Sequence, residues 1–135
     1  MSERRLVDTN LIVRYLVQDH EKHARAAGRL FEACDRGDLE IVVLPAVLAE
    51  CVFVLESFYQ RARGEIASAL RLLISSPGVE IDEAAVHVDA LERYGRSKVH
   101  FVDCLVAATA SRENIAVATF DQDFRRFPDV RVETG

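Results

Sequence analysis

Apolar positions along the chain follow two alternating patterns, short runs and helical repeats. Arg4 to Asp8 (RRLVD), centred on Leu6 and Val7, has the length of a buried strand. Thr9 and Asn10 suit the cap of a helix in which Leu11, Ile12, Tyr15 and Leu16 recur at helical spacing. A second helix is predicted from about His20 to Asp35, with Ala24, Ala27, Leu30, Phe31 and Cys34 on one face and Gly37 as its stop. Leu39 to Leu44 (LEIVVL) is β-branched and apolar, a strand buried on both faces. Pro45 opens the next helix, because the N–H that proline lacks has no helical partner there. That helix, Ala46 to Tyr59, is nearly all apolar, broken by Glu50 and Glu56. Gly64 to Ile74 is amphipathic, with Ile66, Ala69, Leu70, Leu73 and Ile74 inward, and Ser75 to Gly78 (SSPG) is the clearest turn. Val79 to Ile81 reads as a weak strand, and Ala84 to Tyr94 as a helix begun by Asp82 or Glu83. A helix over Val102 to Ser111, closed by Asn114, and strands at Ile115 to Thr119 and Val130 to Val132 complete the pattern.

Strands thus alternate with helices, with no internal repeat, low-complexity tract or linker. The pattern predicts one α/β domain over residues 1–135, with parallel strands covered by helices on both faces. Such folds place their ligands outside the carboxyl ends of the strands.

Composition narrows the classes. Half of the 135 residues are hydrophobic, which excludes a disordered chain. No apolar stretch approaches the ~20 residues of a membrane-spanning helix. The opening MSERRLVDTN lacks the apolar core of a secretory signal, so a cytoplasmic location without membrane contact is expected. Cys34, Cys51 and Cys104 are odd in number, far apart and set in apolar surroundings; they read as small buried hydrophobes rather than a disulfide framework or zinc site. His20 and His23 are spaced to share a metal, but a solvated helix start is the simpler reading. The net charge of −5 works against binding nucleic acid through phosphates alone. Carboxylates that hold cations, however, vanish from the effective charge once metal binds.

The acidic residues that matter are those in apolar settings. Asp8 ends the first strand, Glu50 lies in VLAECVFVL, Asp103 in HFVDCLVAA, and Asp121 follows IAVAT, with Asp123 two residues later. An ionised carboxylate in apolar surroundings is costly unless paired or metal-bound. Taken singly, Glu50 and Asp103 have an equally good structural reading, as partners of a buried arginine or residues of a helix start. Taken together they sit where an α/β fold collects its site. Carboxylates within ~5 Å of each other would repel by roughly 3 kcal/mol per pair at an effective dielectric of 20, about two pKa units, and would need cations to stay ionised. An oxygen-rich site of that kind suits Mg²⁺ or Mn²⁺ and points to metal-assisted hydrolysis of a phosphodiester.

These residues carry a resemblance. Asp8-Thr9-Asn10 after a first strand resembles the opening motif of PIN-domain nucleases, and a lone glutamate, Glu50, on a proline-opened helix resembles their second acidic position. Asp103 to Ala110 (DCLVAATA) is similar to the family's D-x-x-h-A-A-x-A helix, where h is apolar, and Thr119 to Phe124 (TFDQDF) to its closing T-x-D-x-D-F motif. The match spans nearly the whole chain and is most similar to the VapC ribonuclease toxins of VapBC toxin–antitoxin modules. The resemblance implies a three-layer α/β/α sandwich with a central parallel sheet of about five strands. It implies Asp8, Glu50 and Asp103 as the core metal-binding carboxylates, Asp121 as the fourth, and Asp123 as a lesser contributor. Thr9 and Asn10 would orient Asp8, and Thr119 would steady the Asp121 loop. An RNA substrate, a homodimer and a silencing antitoxin are implied as partners.

Positive charge for RNA would come from Arg93, Arg96 and Lys98, with His100, just before Asp103, or from Arg61 and Arg63. Lys98, on a loop beside the site, is the best of these; a solvated helix end is as good a reading of Arg93 and Arg96. Phe53, Phe58, Tyr59, Phe101, Phe120, Phe124 and Phe127 read as core rather than as base-stacking residues. Arg125 and Arg126 read as a solvated turn. The apolar segments VLAECVFVLESFY and IASALRLLI are rich for a small monomer and suit a subunit or antitoxin interface. An aspartyl phosphatase would need a second Asp where Asn10 stands, and no G-x-G-x-x-G follows the first strand. The alternative to a nuclease is a non-catalytic PIN-like module that binds RNA or protein. Residues 58–96 carry no motif that speaks to specificity.

Overall fold

The computed structural model describes residues 3–134; Met1, Ser2 and Gly135, the ends of the expected 1–135 domain, lie outside the described residues. The elements run β1 (Glu3–Leu6), α1 (Thr9–Val17), α2 (Glu21–Asp35), β2 (Leu39–Val42), α3 (Pro45–Ser57), α4 (Arg63–Ile74), β3 (Val79–Glu80), α5 (Ala84–Gly95), α6 (Phe101–Glu113), β4 (Val117–Ala118), a short 3-10 helix (Gln122–Arg126) and β5 (Val132–Glu133). The architecture is α/β, as the alternation of periods predicts.

Every strand pairing is parallel, but the five strands are divided. β1, β2 and β3 form one sheet in that order, with Leu6 opposite Val42 and Val42 opposite Glu80, while β4 and β5 pair separately. The single sheet of about five strands is therefore replaced by a sheet of three and a pair. β3, β4 and β5 are each two residues long, too short to carry a ladder from one set to the other.

β1 departs from its expected burial. All four of its residues are exposed, and Val7, just past its end, is the one that reaches the core. The reason is its position: β1 is an edge, and Arg4 crosses the sheet to Glu80 at 2.7 Å, keeping that face polar. β2, the central strand, buries Ile41, with Val43 beyond its end.

The core is one cluster that includes Ile12, Ile41, Leu48, Ile66, Leu70, Leu91, Tyr94 and Val99. α5 packs on α4 and α6, α1 on α2, and α3 touches α1, α4 and α6. Helix α3 is therefore the common neighbour of the helices that begin at Asp8 and carry Asp103. All three cysteines are buried and free. His20 caps α2 by accepting from His23 N at 3.2 Å, and the two rings stack. Among the described residues no helix is long and apolar enough to cross a membrane.

The SSPG turn ends tightly against α2. Gly78 has φ +81°, and a Cβ there would stand 2.8 Å from Cys34 Sγ. Gly78→Ala therefore adds a left-handed strain to a clash. It is expected to destabilise by about 1–3 kcal/mol, read as a drop of several degrees in melting temperature. An unchanged melting temperature would contradict this packing.

Candidate acidic site

The carboxylates singled out by the sequence lie on four separate elements. Asp8 sits between β1 and α1 and is the N-cap of that helix: its carboxylate accepts from Leu11 N at 2.9 Å. The cap thus falls one residue before Thr9-Asn10, which form the first turn of α1 instead. Aspartate ranks with the best capping residues, so local physics alone gives Asp8 a reason to be there. Glu50 is exposed on α3. Asp103 is half-buried in the first turn of α6, where the helix dipole favours a negative charge. Asp121 follows β4 and caps the 3-10 helix, accepting from Asp123 N at 2.8 Å. Thr119 Oγ1 accepts from Asp121 N at 2.9 Å, and Asp123 lies 3.7 Å from Arg126.

Two of these charges act on one thiol. Cys51, fully buried on α3, is pushed up to about 12, first by burial and then by the fields of Glu50 and Asp8. Cys104, next to Asp103, is pushed up to about 11, chiefly by burial. Both thiols stay protonated at neutral pH, so neither is a nucleophile. The donor set is all carboxylate oxygen, the chemistry of a hard divalent cation. Among the described residues, however, no three Asp, Glu, His or Cys side chains converge closely enough to hold one ion. The donors fit Mg²⁺ or Mn²⁺ by type, and Asp8 and Glu50 are neighbours of the same buried residue; the full set is not gathered.

The basic residues divide sharply. Lys98 and Arg96 are exposed, Lys98 on the loop that leads into α6. Arg93 is not available to a phosphate: it is buried, bonds Asp89 at 2.7 Å, and forms a two-toothed pair with Asp129. A guanidinium so placed anchors the C-terminal segment onto α5 and holds the Asp129 carboxyl well below its usual range. The i, i+4 spacing of Asp89 and Arg93 was the signal for this role; Asp129 carried none. Arg63 is likewise internal. Its guanidinium lies 3.8 Å from the centre of the Tyr94 ring and donates to Tyr94 O, at 3.1 Å, and to Val99 O, while the Tyr94 hydroxyl donates to Glu56.

The aromatics split as well. Phe101, Phe124 and Phe127 are core, and Tyr59 is half-buried with its hydroxyl on Asp19. Phe53, Phe58 and Phe120 are exposed, at 67%, 76% and 87%, against their expected burial. On α3 the cause is periodicity: Phe53 lies on the Glu50 side of a helix whose other sides, through Leu48, Cys51, Val52 and Leu55, fill the core.

The chain is parallel α/β, with Asp8 and Asp121 after strands, Asp103 in the first turn of α6 and Glu50 within α3. A family model described as the PIN domain matches residues 5–130. The chain belongs to the PIN-domain family, whose members are typically nucleases. Among solved structures, it is similar to the crystal structure of VapBC2 from Rickettsia felis bound to a DNA fragment from their promoter. The identity is 20% over 97% of this chain and 98% of that one, with a TM-score of 0.41. No curated protein sequence matches the chain.

Proposed function

We propose that the chain is a metal-dependent endoribonuclease with Asp8, Glu50, Asp103 and Asp121 as its acidic site and Asp123 at its margin. The observation that carries the reading is the PIN-family match over residues 5–130, which contains all five acids in order. Asp8, Glu50, Asp103 and Asp121 would hold one or more Mg²⁺ or Mn²⁺ ions. Such an ion, when bound, lowers the pKa of water and neutralises charge on a phosphodiester.

The chain's own residues have distinct tasks in this reading. Leu11 N fixes the Asp8 carboxylate, the α6 dipole favours ionised Asp103, and Thr119 fixes the backbone at Asp121. Lys98 and Arg96 supply positive charge to the RNA backbone. The attacking group is water, since the thiols nearest the site are buried and protonated.

Drawing the carboxylates together would require a cation. Each pair drawn to ~5 Å repels by roughly 3 kcal/mol at an effective dielectric of 20, which only a counter-charge offsets. A second reading, a non-catalytic PIN-like module, is favoured by the one fact that no three carboxylates converge among the described residues.

The motifs that resemble VapC toxins support a toxin of a type II toxin–antitoxin system, with a cognate antitoxin as partner and a cytoplasmic place of action. Exposed Phe58 after α3 and Leu72 on α4 support self-association as a homodimer of single PIN-like domains. The test is to incubate the protein with structured RNAs and Mg²⁺ or Mn²⁺. Cleavage at discrete positions, lost when a chelator is added, is the expected result. Metal binding without cleavage of any RNA would favour the binding module.

A further inference from the structure

A recess of about 290 Å³ lies between α3 and the start of α6, and the metal-binding reading leaves it unused. Its lining includes Phe53, Glu56, Arg63, Tyr94, Lys98 and His100. Ala49 and Val102, the chain neighbours of Glu50 and Asp103, also line it.

We propose that this recess is a subsite for one nucleobase of a single-stranded RNA, with Phe53 as the stacking surface and Lys98 and His100 holding the adjoining phosphate. The proposal rests on the ribonuclease reading for the identity of the strand. Three observations carry it. Phe53 follows Glu50 by three residues, so both stand on one side of α3, and its ring is two-thirds exposed. An exposed aromatic ring next to cations is the recurring device for holding single strands, because every base has a π-face.

The floor is fixed in advance. The Arg63 guanidinium covers Tyr94 and is pinned to Tyr94 O and Val99 O, and Glu56 receives the Tyr94 hydroxyl, so little has to be ordered when a base enters. The rim carries one ammonium and one imidazole. Lys98 is exposed and forms no salt bridge among the described residues; His100 precedes α6 and makes no side-chain cap bond to it. A guanidinium and a carboxylate in the floor are poor surroundings for an apolar peptide, whereas the polar edge of a base can meet both.

The test uses a short single-stranded RNA in which 2-aminopurine replaces successive bases, checked intact after each measurement. The wild type should quench the fluorophore most at one position. Phe53→Ala and Phe53→Leu should abolish that quenching and weaken binding roughly tenfold, with melting temperature and Mn²⁺ binding unchanged. Phe53→Tyr should restore both. Lys98→Ala should lower the slope of log affinity against log salt by about 0.7, the loss of one single-strand phosphate contact.

The proposal is overturned if Phe53→Ala binds and quenches like wild type. It is also overturned if Phe53→Leu rescues as well as Phe53→Tyr, or if RNA binding is lost only because sedimentation shows a dimer falling apart. Metal-dependent cleavage that is indifferent to Phe53 would remove the subsite and leave the nuclease. Phe53-dependent quenching by a protein that cuts no RNA would remove the nuclease and leave the subsite.

Discussion

Asp8→Asn is expected to cut the rate of RNA cleavage by at least about 100-fold while leaving the melting temperature nearly unchanged. The two effects separate because Asp8 has two jobs. Its carboxylate caps α1 through Leu11 N, and asparagine offers the same acceptor with nearly the same preference. What asparagine lacks is the charge that would hold a cation. Asp8→Ala removes both, and should add a loss of about 1 kcal/mol of stability, a few degrees, to the same loss of activity. If Asp8→Asn cleaved like wild type, Asp8 would be a cap and nothing more. A melting temperature that fell equally in both variants would show that the charge itself, and not the hydrogen bond, supports the fold.

A large effect on stability is expected of Arg93→Met. Arg93 is buried and serves Asp89 and Asp129 together, so its removal strands two carboxylates. Breaking a fully buried pair costs about 3–5 kcal/mol. The Asp129 side chain is 48% exposed, and solvent screening reduces the figure to about 2 kcal/mol, or roughly 5–10 °C in melting temperature. The pH dependence has a definite sign. Arg93 holds the Asp129 carboxyl below its unfolded value, so the pair's contribution is present above the ordinary carboxylate pKa near ~4 and is lost as pH falls toward the depressed value. The gap between wild type and Arg93→Met should therefore be full at neutral pH and narrow below about pH 4. A gap that is constant down to strong acid would assign the loss to packing against Phe127, over which the guanidinium also lies.

Much of this was legible in the sequence because it depends on local periodicity. Pro45 opens α3, Gly37 and Asn114 adopt positive φ beyond the ends of α2 and α6, and SSPG turns on Gly78. Asp8, Asp103 and Asp121 stand at element boundaries that patterning marks, whereas Glu50, within α3, was marked only by its apolar neighbours. What was not legible depends on partners far apart in sequence. Nothing around Arg93 announces Asp129, and nothing around Arg63 announces Tyr94 and Val99. Edge position is equally non-local: RRLVD reads as a buried strand until β2 is found on only one side of it. Phe53 was misread for the opposite reason, since a helix as apolar as α3 hides which of its sides is left outside.

In the proposed nuclease, four carboxylates from separate elements serve one cation site. Calorimetric titration of Mn²⁺ into the wild type and into Asp8→Asn, Glu50→Gln, Asp103→Asn and Asp121→Asn tests it directly. Saturable binding heat is expected in the wild type, lost or greatly weakened in Asp8→Asn, Glu50→Gln and Asp103→Asn and reduced in Asp121→Asn, with every variant still folded. No heat in the wild type, or heat that every variant retains unchanged, would contradict it.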